Sequence, residues 1–351
     1  MFISTGGLLG EGSYGLVHAV TEQGAPASRV FALKEMHAPL ADALREVDAH
    51  RAVADPNVVP LLAHSVVEVG GGAATSAGSS PAPRRGCGAV ASEDRDERAC
   101  AAVLLFPLLV RGNLAGAIAG ALARHHGDGG GGPVGRALSE MEALSLCGGL
   151  ARGLLALHGA GLAHRDVNPR NALLPEPGGG TGAVLCDLGS AAPLTLPLPT
   201  RAACGRAAEE AAARSSPAYR APELWACDPG PPLDGAAADV WALGCTLFAC
   251  AWGASPFEVA PAGGAGGPLR PVEPCHSRVL APLAFPPPPR HVGPAFERLV
   301  AACLALEPRA RATVADVAGR IEARLRELHA QGGADAAAGG GKEGAGARAD
   351  C

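Results

Sequence analysis

Aromatic side chains are scarce, at 3% of 351 residues, while glycine (49) and proline (31) are abundant. Such a pattern follows from compositional drift toward Ala and Gly wherever a fold tolerates them, so residues that resist the drift stand out. Neither sign of charge is in excess, with 29 basic against 34 acidic side chains. That balance removes the electrostatic ground for nucleic acid or an anionic membrane as main partner. The eleven cysteines contain no C-x-x-C spacing, and Cys186, Cys245, Cys250 and Cys303 lie inside apolar runs. They read as buried free thiols in a reducing compartment rather than a disulfide framework. The only histidine pair, His125 and His126, stands in HHGDGGGG without further ligands at metal-binding spacing, which reads as a solvated loop. No basic n-region precedes an apolar h-region. No apolar run approaches the roughly 18 residues needed to span a bilayer. Phe2 occupies the place where N-myristoylation needs glycine. The expectation is a soluble cytoplasmic protein with no transmembrane segment and no lipid anchor on this N-terminus. Nothing in the sequence speaks to its oligomeric state.

With 48% hydrophobic residues, the chain can build a core large enough for two lobes sharing a cleft. LVHAV, VFALKE, VVPLLAHSVVEV and AAVLLFPLL read as strands, with one helix, PLADALREVDAHRAVA, among them. Beyond residue 109 the apolar spacing becomes helical in LSEMEALSLCGGLARGLLALHGAG, DVWALGCTLFACAW and AFERLVAACLALE. The inferred fold class is α+β, with a small strand-rich lobe at 1–107 and a larger helical lobe at 108–328. Residues 70–98, small, polar and charged, read as a disordered insert, and 329–351 as a disordered tail. His125 to Gly135 reads as a glycine loop, and Pro261 to Pro294 as too proline-dense for regular structure.

Six short motifs then follow one another. GEGSYGLV places Gly10, Gly12, Gly15 and Val17 as G-x-G-x-x-G-x-V. Glycine lets backbone approach a phosphate because no Cβ intrudes, and LVHAV continues as a strand where a dinucleotide-binding fold would start a helix. FALKE sets Lys34 on a strand, with Glu46 on the following helix at a separation that permits an ion pair. HRDVNPRN carries Asp166 and Asn171, AVLCDLGS carries Asp187, and Ala221 to Glu223 form A-P-E.

In this order the motifs resemble those of the eukaryotic protein kinase family, from about Leu8 to Leu328. SSPAYRAPEL resembles the serine/threonine class. DLGSA, LLFPLLVRGNL, AHRDV and the alanine-rich, helix-prone CGRAAEEAAARSS resemble the numb-associated kinases, in particular the myristoylated and palmitoylated branch. The resemblance implies ATP and Mg²⁺ as cofactors and protein substrates phosphorylated on Ser or Thr. Lys34 would hold the α- and β-phosphates with Glu46 as its partner, and Asp166 would orient the acceptor hydroxyl. Asn171 and Asp187 would bind magnesium, and Ser216 would place a hydroxyl beside Asp166. The nucleotide would lie among Leu9, Gly10, Glu11, Gly12, Ser13, Gly15, Val17, Ala32, Phe106, Leu108, Leu109 and Leu173. Arg311 would pair with Glu223. That branch's acylated N-terminus is missing, so membrane or Golgi residence rests on the resemblance alone.

Asn168 departs from the pattern, for serine/threonine kinases place a lysine there. An amide supplies a neutral hydrogen bond where the class supplies a cation, a loss of roughly 1–3 kcal/mol in transition-state stabilisation. On this reading Asn168→Lys raises kcat about tenfold. The alternative class is a pseudokinase or ATP-binding scaffold. Against it stand Lys34, Asp166 and Asp187, the residues such proteins usually lose.

Overall fold

The computed structural model describes residues 2–12, 15–22, 30–68, 99–125, 137–175, 182–262, 269–281 and 292–339. The insert at 70–98, the glycine loop at 126–135, Ser13, the prolines at 286–289 and the end of the tail from 340 lie outside them. Two units are formed. One comprises Met1–Ala54, Val59–Leu108 and Asp187–Gly189; the other comprises Asp55–Val58, Leu109–Cys186 and Ser190–Cys351.

The first unit is an antiparallel sheet of β1 (Phe2–Gly12), β2 (Gly15–Glu22), β3 (Val30–Pro39), β4 (Ala63–Glu68) and β5 (Ala99–Pro107), in the order β1-β2-β3-β5-β4. Helix α1 (Leu40–Ala52) follows β3 and packs Ala43 and Val47 against Met36, Ala38, Ala102 and Leu104. Val17 pairs with Lys34, and Ala32 with Phe106. Because strand side chains alternate, Val17, Ala32, Lys34 and Phe106 share one face of the sheet. Only the second half of VVPLLAHSVVEV is a strand. Pro60 cannot donate to a ladder, and Val58 instead makes a single parallel bridge to Leu185 in the second unit's own sequence.

In the second unit lie α2 (Leu114–His125), α3 (Glu140–Gly159), α4 (Arg201–Arg214), α5 (Pro222–Trp225), α6 (Gly235–Trp252), α7 (His276–Val279), α8 (Pro294–Cys303) and α9 (Val314–Gly339). Ser139 and Glu142 form a capping box that starts α3. By length and composition α6 could cross a bilayer, contrary to the reading that no run approaches that length. It is instead the core helix, 94% buried, packed against α3 and α8. At Gly244 a Cβ would stand 2.5 Å from Cys303 Cβ, so only glycine permits this approach of α6 to α8. Two-stranded ladders join β6 (Leu162–Ala163) to β9 (Ala192–Pro193), and β7 (Ala172–Leu173) to β8 (Val184–Leu185). Others join β10 (Thr195–Leu196) to β11 (Leu233–Asp234), and β12 (Val259–Pro261) to β13 (Leu269–Pro271).

Two expectations are corrected. Within the proline-rich segment, β13 and α7 are regular structure, because Pro271 ends its strand rather than interrupting it. The tail is helical through Gly339, where Ala334 and Ala336 to Ala338 favour continuation of α9. The described cysteines that have side-chain positions are free thiols, with Cys245, Cys250 and Cys303 buried and Cys186 partly so.

Candidate active site

In the first unit, β3 carries Lys34 inward and α1 brings Glu46 beneath it. Lys34 Nζ donates to both Glu46 oxygens at 2.8 Å and to Asp187 Oδ1 at 2.8 Å. Glu46 is wholly buried, whereas Leu44 on the same helix is 41% exposed. The ordinary preference is reversed here because the buried cation needs a partner. Burial alone would lower the Lys34 pKa, but the charges of Asp187 and Glu46 outweigh it and hold it well above the usual lysine value. For Glu46, burial raises the pKa, Lys34 opposes and Asp187 adds, leaving it raised. These directions pull against each other within one ion pair. Contact geometry favours the charged form, since both carboxylate oxygens accept from the ammonium. Asp187 has φ of 62°, a left-handed conformation rare outside glycine.

Elsewhere in this unit, Leu9 is exposed, and Gly10, Val17 and Ala32 are half-buried. Glu11 and Gly12 end β1. At Gly15 an added Cβ would lie 1.8 Å from the Glu35 carbonyl oxygen, so the return of the hairpin onto β3 requires glycine. Phe106 meets the His50 ring at 5.1 Å. Leu108 closes the first unit, whereas Leu109 and Leu173 belong to the second. There Leu173 pairs with Val184 and bridges Asn113.

The second unit builds the loop His164–Asn171 on a buried carboxylate. Asp239, fully buried on α6, accepts the backbone N–H of His164 at 2.8 Å and of Arg165 at 2.7 Å, and contacts His158 Nε2 at 2.9 Å. His164 Nδ1 accepts from Asp166 N, so its Nε2 carries the proton and donates to the Cys186 carbonyl. Arg165 takes a left-handed φ of 66°. Asp166 Oδ1 accepts the Ser216 N–H at 2.8 Å, and Oδ2 accepts Asn171 Nδ2 at 2.8 Å. Asn171 thereby spends its N–H groups on Asp166 and leaves Oδ1 without a protein donor among the described residues.

Asn168 does more than its alignment with a lysine implied. Its Nδ2 donates to the Asp166 carbonyl at 3.1 Å and to Ser216 Oγ at 3.2 Å. Its Oδ1 accepts the N–H groups of Arg170 and Asn171, capping the short 3₁₀ turn Pro169–Asn171. Sequence reading missed this cap, although Asn directly before Pro at a helical N-terminus is its signal. Also missed were His158 beside Asp239 and the ion pair of Arg165 Nη1 with Glu210 of α4 at 3.5 Å. Arg311 pairs with Glu223 through two bonds of 2.6 and 2.7 Å, as the resemblance implied.

Comparison with known proteins agrees with these motifs. The family model described as the protein kinase domain matches residues 127–320, more than half of the chain. The chain belongs to the protein kinase family. Serine/threonine-protein kinase 16 of Rattus norvegicus is 30% identical over 319 residues, 90% of this chain and 88% of that protein. Its Homo sapiens counterpart is 29% identical over the same shares. Serine/threonine-protein kinase PkaB of Streptomyces coelicolor is 33% identical over 198 residues, 55% of this chain and 41% of its own length.

Proposed function

We propose that this chain is a serine/threonine protein kinase in which Lys34, Glu46, Asp166, Asn168, Asn171, Asp187 and Ser216 form the working site. The observation that carries the reading is Lys34 held between Glu46 and Asp187 by three contacts of 2.8 Å. An ammonium so placed is a fixed cation for phosphate oxygens, and Asp187 beside it is a hard oxygen donor of the kind Mg²⁺ prefers. Asn171 fits as the second donor, because its bonds to Asp166 leave its carbonyl oxygen without a protein partner among the described residues. ATP with Mg²⁺ supplies the phosphoryl group and neutralises charge that develops in its transfer.

The protein's own part is positioning. Two accepted hydrogen bonds fix the Asp166 carboxylate for orienting an acceptor hydroxyl and taking up its proton. Asn168 ties that carboxylate's backbone to Ser216, so the segment before A-P-E is held beside the base. The nucleotide-contacting residues in this proposal are Leu9, Gly10, Glu11, Gly12, Ser13, Gly15, Val17, Ala32, Phe106, Leu108, Leu109 and Leu173. The domain occupies residues 1–328. Placement in the myristoylated and palmitoylated branch is supported by DLGSA, LLFPLLVRGNL, AHRDV and helix α4. A cytoplasmic site of action is supported by the free thiols. The test is transfer of labelled phosphate from Mg·ATP to a generic protein substrate, run beside Asp187→Ala. Transfer by the wild type alone is expected; equal transfer by both proteins, or nucleotide binding without transfer, would overturn the assignment.

A further inference from the structure

A cavity of about 460 Å³ opens in the second unit beside Asn168 and Ser216. Its walls are of two kinds. Helix α2 contributes Ala115, Ile118, Ala119 and Leu122, an apolar and largely short-chained surface. The lining also includes Glu258 and Glu273, together with Arg170 of the His164–Asn171 loop. None of these three charged groups has an ion-pair partner among the described residues.

Their placement is not incidental to surface loops. Phe257 stacks on the buried Trp241 at 5.4 Å, with 6° between the ring planes, which fixes the residue before Glu258. Ser255, fully buried, donates its hydroxyl to the Ala218 carbonyl at 2.6 Å and its N–H to Glu258 Oε2 at 3.1 Å. The Glu258 corner is therefore tied to a backbone position two residues from Ser216. Glu258's own carbonyl accepts the Val272 N–H at 2.8 Å, so the strand that leads to Glu273 is tied to the same corner. The Glu258 carboxylate thus sits in fixed relation to the segment that Asn168 and Asp166 hold, and the backbone that leads to the exposed Glu273 is tied to the same corner.

We propose that this cavity receives a basic side chain, arginine or lysine, from the protein segment that bears the acceptor Ser or Thr. Glu258 and Glu273 are then the residues that select it. This inference rests on the phosphoryl-transfer reading above and adds the substrate class. An arginine or lysine matches both walls: its aliphatic stem lies along the small apolar residues of α2 while its charged head meets the carboxylates. Two carboxylates against the single guanidinium of Arg170 leave the cavity with net negative charge, which disfavours an acidic occupant.

The experiment first establishes transfer to a generic protein by the wild type and its loss in Asp187→Ala. Failure there overturns the kinase assignment and this inference with it. Peptides containing one serine in an alanine and glycine background then carry a single arginine, or a single glutamate, at each position in turn. At one or two positions arginine should raise kcat/KM about tenfold over alanine, chiefly through KM. In the double variant E258Q/E273Q that arginine-to-alanine ratio should fall toward one. The amide retains an oxygen for the Ser255 N–H, and melting temperature checks the fold. In E258K/E273K the preference should turn toward the glutamate peptides. Three results would overturn the proposal: uniform or absent transfer across the peptides by an enzyme active on protein, a glutamate preference in the wild type, or an arginine preference that survives both double variants.

Discussion

Asn168 is 4% exposed, and all of its side-chain hydrogen-bonding capacity is committed. A lysine there has three donors and no acceptor, so the N–H groups of Arg170 and Asn171 would lose their cap. Loss of such a cap costs about 0.5–2 kcal/mol, before any cost of confining an ammonium. The added cation expected from sequence to raise kcat therefore meets a loop already organised around the amide. Asn168→Lys is expected to lower the melting temperature by about 2–8 °C and to leave kcat unchanged or reduced, checked by calorimetry with steady-state kinetics. A tenfold rise in kcat at unchanged melting temperature would restore the deficit reading. Lys34 was more legible than Asn168. It is one of two lysines in the chain, the other being Lys342, so in a sequence drifting toward Ala and Gly its retention was itself a signal. A hydrogen-bonding cap, by contrast, is written in geometry that an alignment with lysine conceals. Thiol chemistry also sorts by residue. Burial pushes the Cys303 thiol up to about 12, and Cys147 and Cys245 are also raised, Cys147 first by its contact with Cys250 and Cys245 by burial. At Cys275, which is only partly buried, hydrogen bonds from Ser277 and Arg278 lower it. Iodoacetamide at pH 8 should alkylate Cys275 well before those three, as read by peptide mass spectrometry. Equal labelling in the folded protein would contradict their burial.

Helix α4 is the element whose role the sequence least revealed, although its alanine content made the helix itself legible. The arginine of HRD often receives an activation-segment phosphate, but here Arg165 meets Glu210 of α4. Thr200 already serves as the N-cap of that helix, accepting the Ala203 N–H at 3.2 Å. Ser215 donates to the Ala211 carbonyl and accepts from Arg220 Nε. A fixed carboxylate thus supplies the negative partner that a phosphate would otherwise bring. Phosphatase-treated protein should retain its full rate, and Glu210→Gln should lower it several-fold, because the neutral amide weakens a charge-assisted contact about twofold in strength. Dependence of the rate on phosphate at Thr195, Thr200 or Ser215 would reverse this account. At the same scale, α3 and α8 were readable because burial of one face imposes a repeat of 3.6 residues, and α6 because burial on all sides keeps it apolar nearly throughout. Two-residue strands such as β6 and β7 show no alternation to read. Their pairing comes from contacts remote in sequence.

For the molecule as a whole, motif order carried the fold, because each motif marks an element and the sequence of elements admits few arrangements. The resemblance implied one buried pair between distant segments, Arg311 with Glu223, whereas motif order could not supply the carbonyl and ring contacts that surround it. Arg311 shows the difference. Its side chain is fully buried, bonded to Glu223 across 88 residues, to the carbonyls of Ala237, Ala305 and Leu306, and stacked over Trp241 at 5.0 Å. Trp241 in turn supports Phe257 and the Glu258 corner. Truncation to Arg311→Ala leaves the Glu223 carboxylate and three carbonyls without their donor. Breaking a buried pair from one side costs about 3–5 kcal/mol, which for a unit of this size corresponds to a fall of about 6–20 °C in melting temperature. Replacing both partners by apolar residues, as in Arg311→Met with Glu223→Leu, removes the stranded charge as well as the attraction. The double variant should therefore melt above Arg311→Ala, although the unbonded carbonyls keep it below wild type. Differential scanning calorimetry on the three proteins decides the matter. If the double variant melts no higher than Arg311→Ala, the backbone carbonyls and the Trp241 stack, not the ion pair with Glu223, are the bonds through which Arg311 holds this unit together.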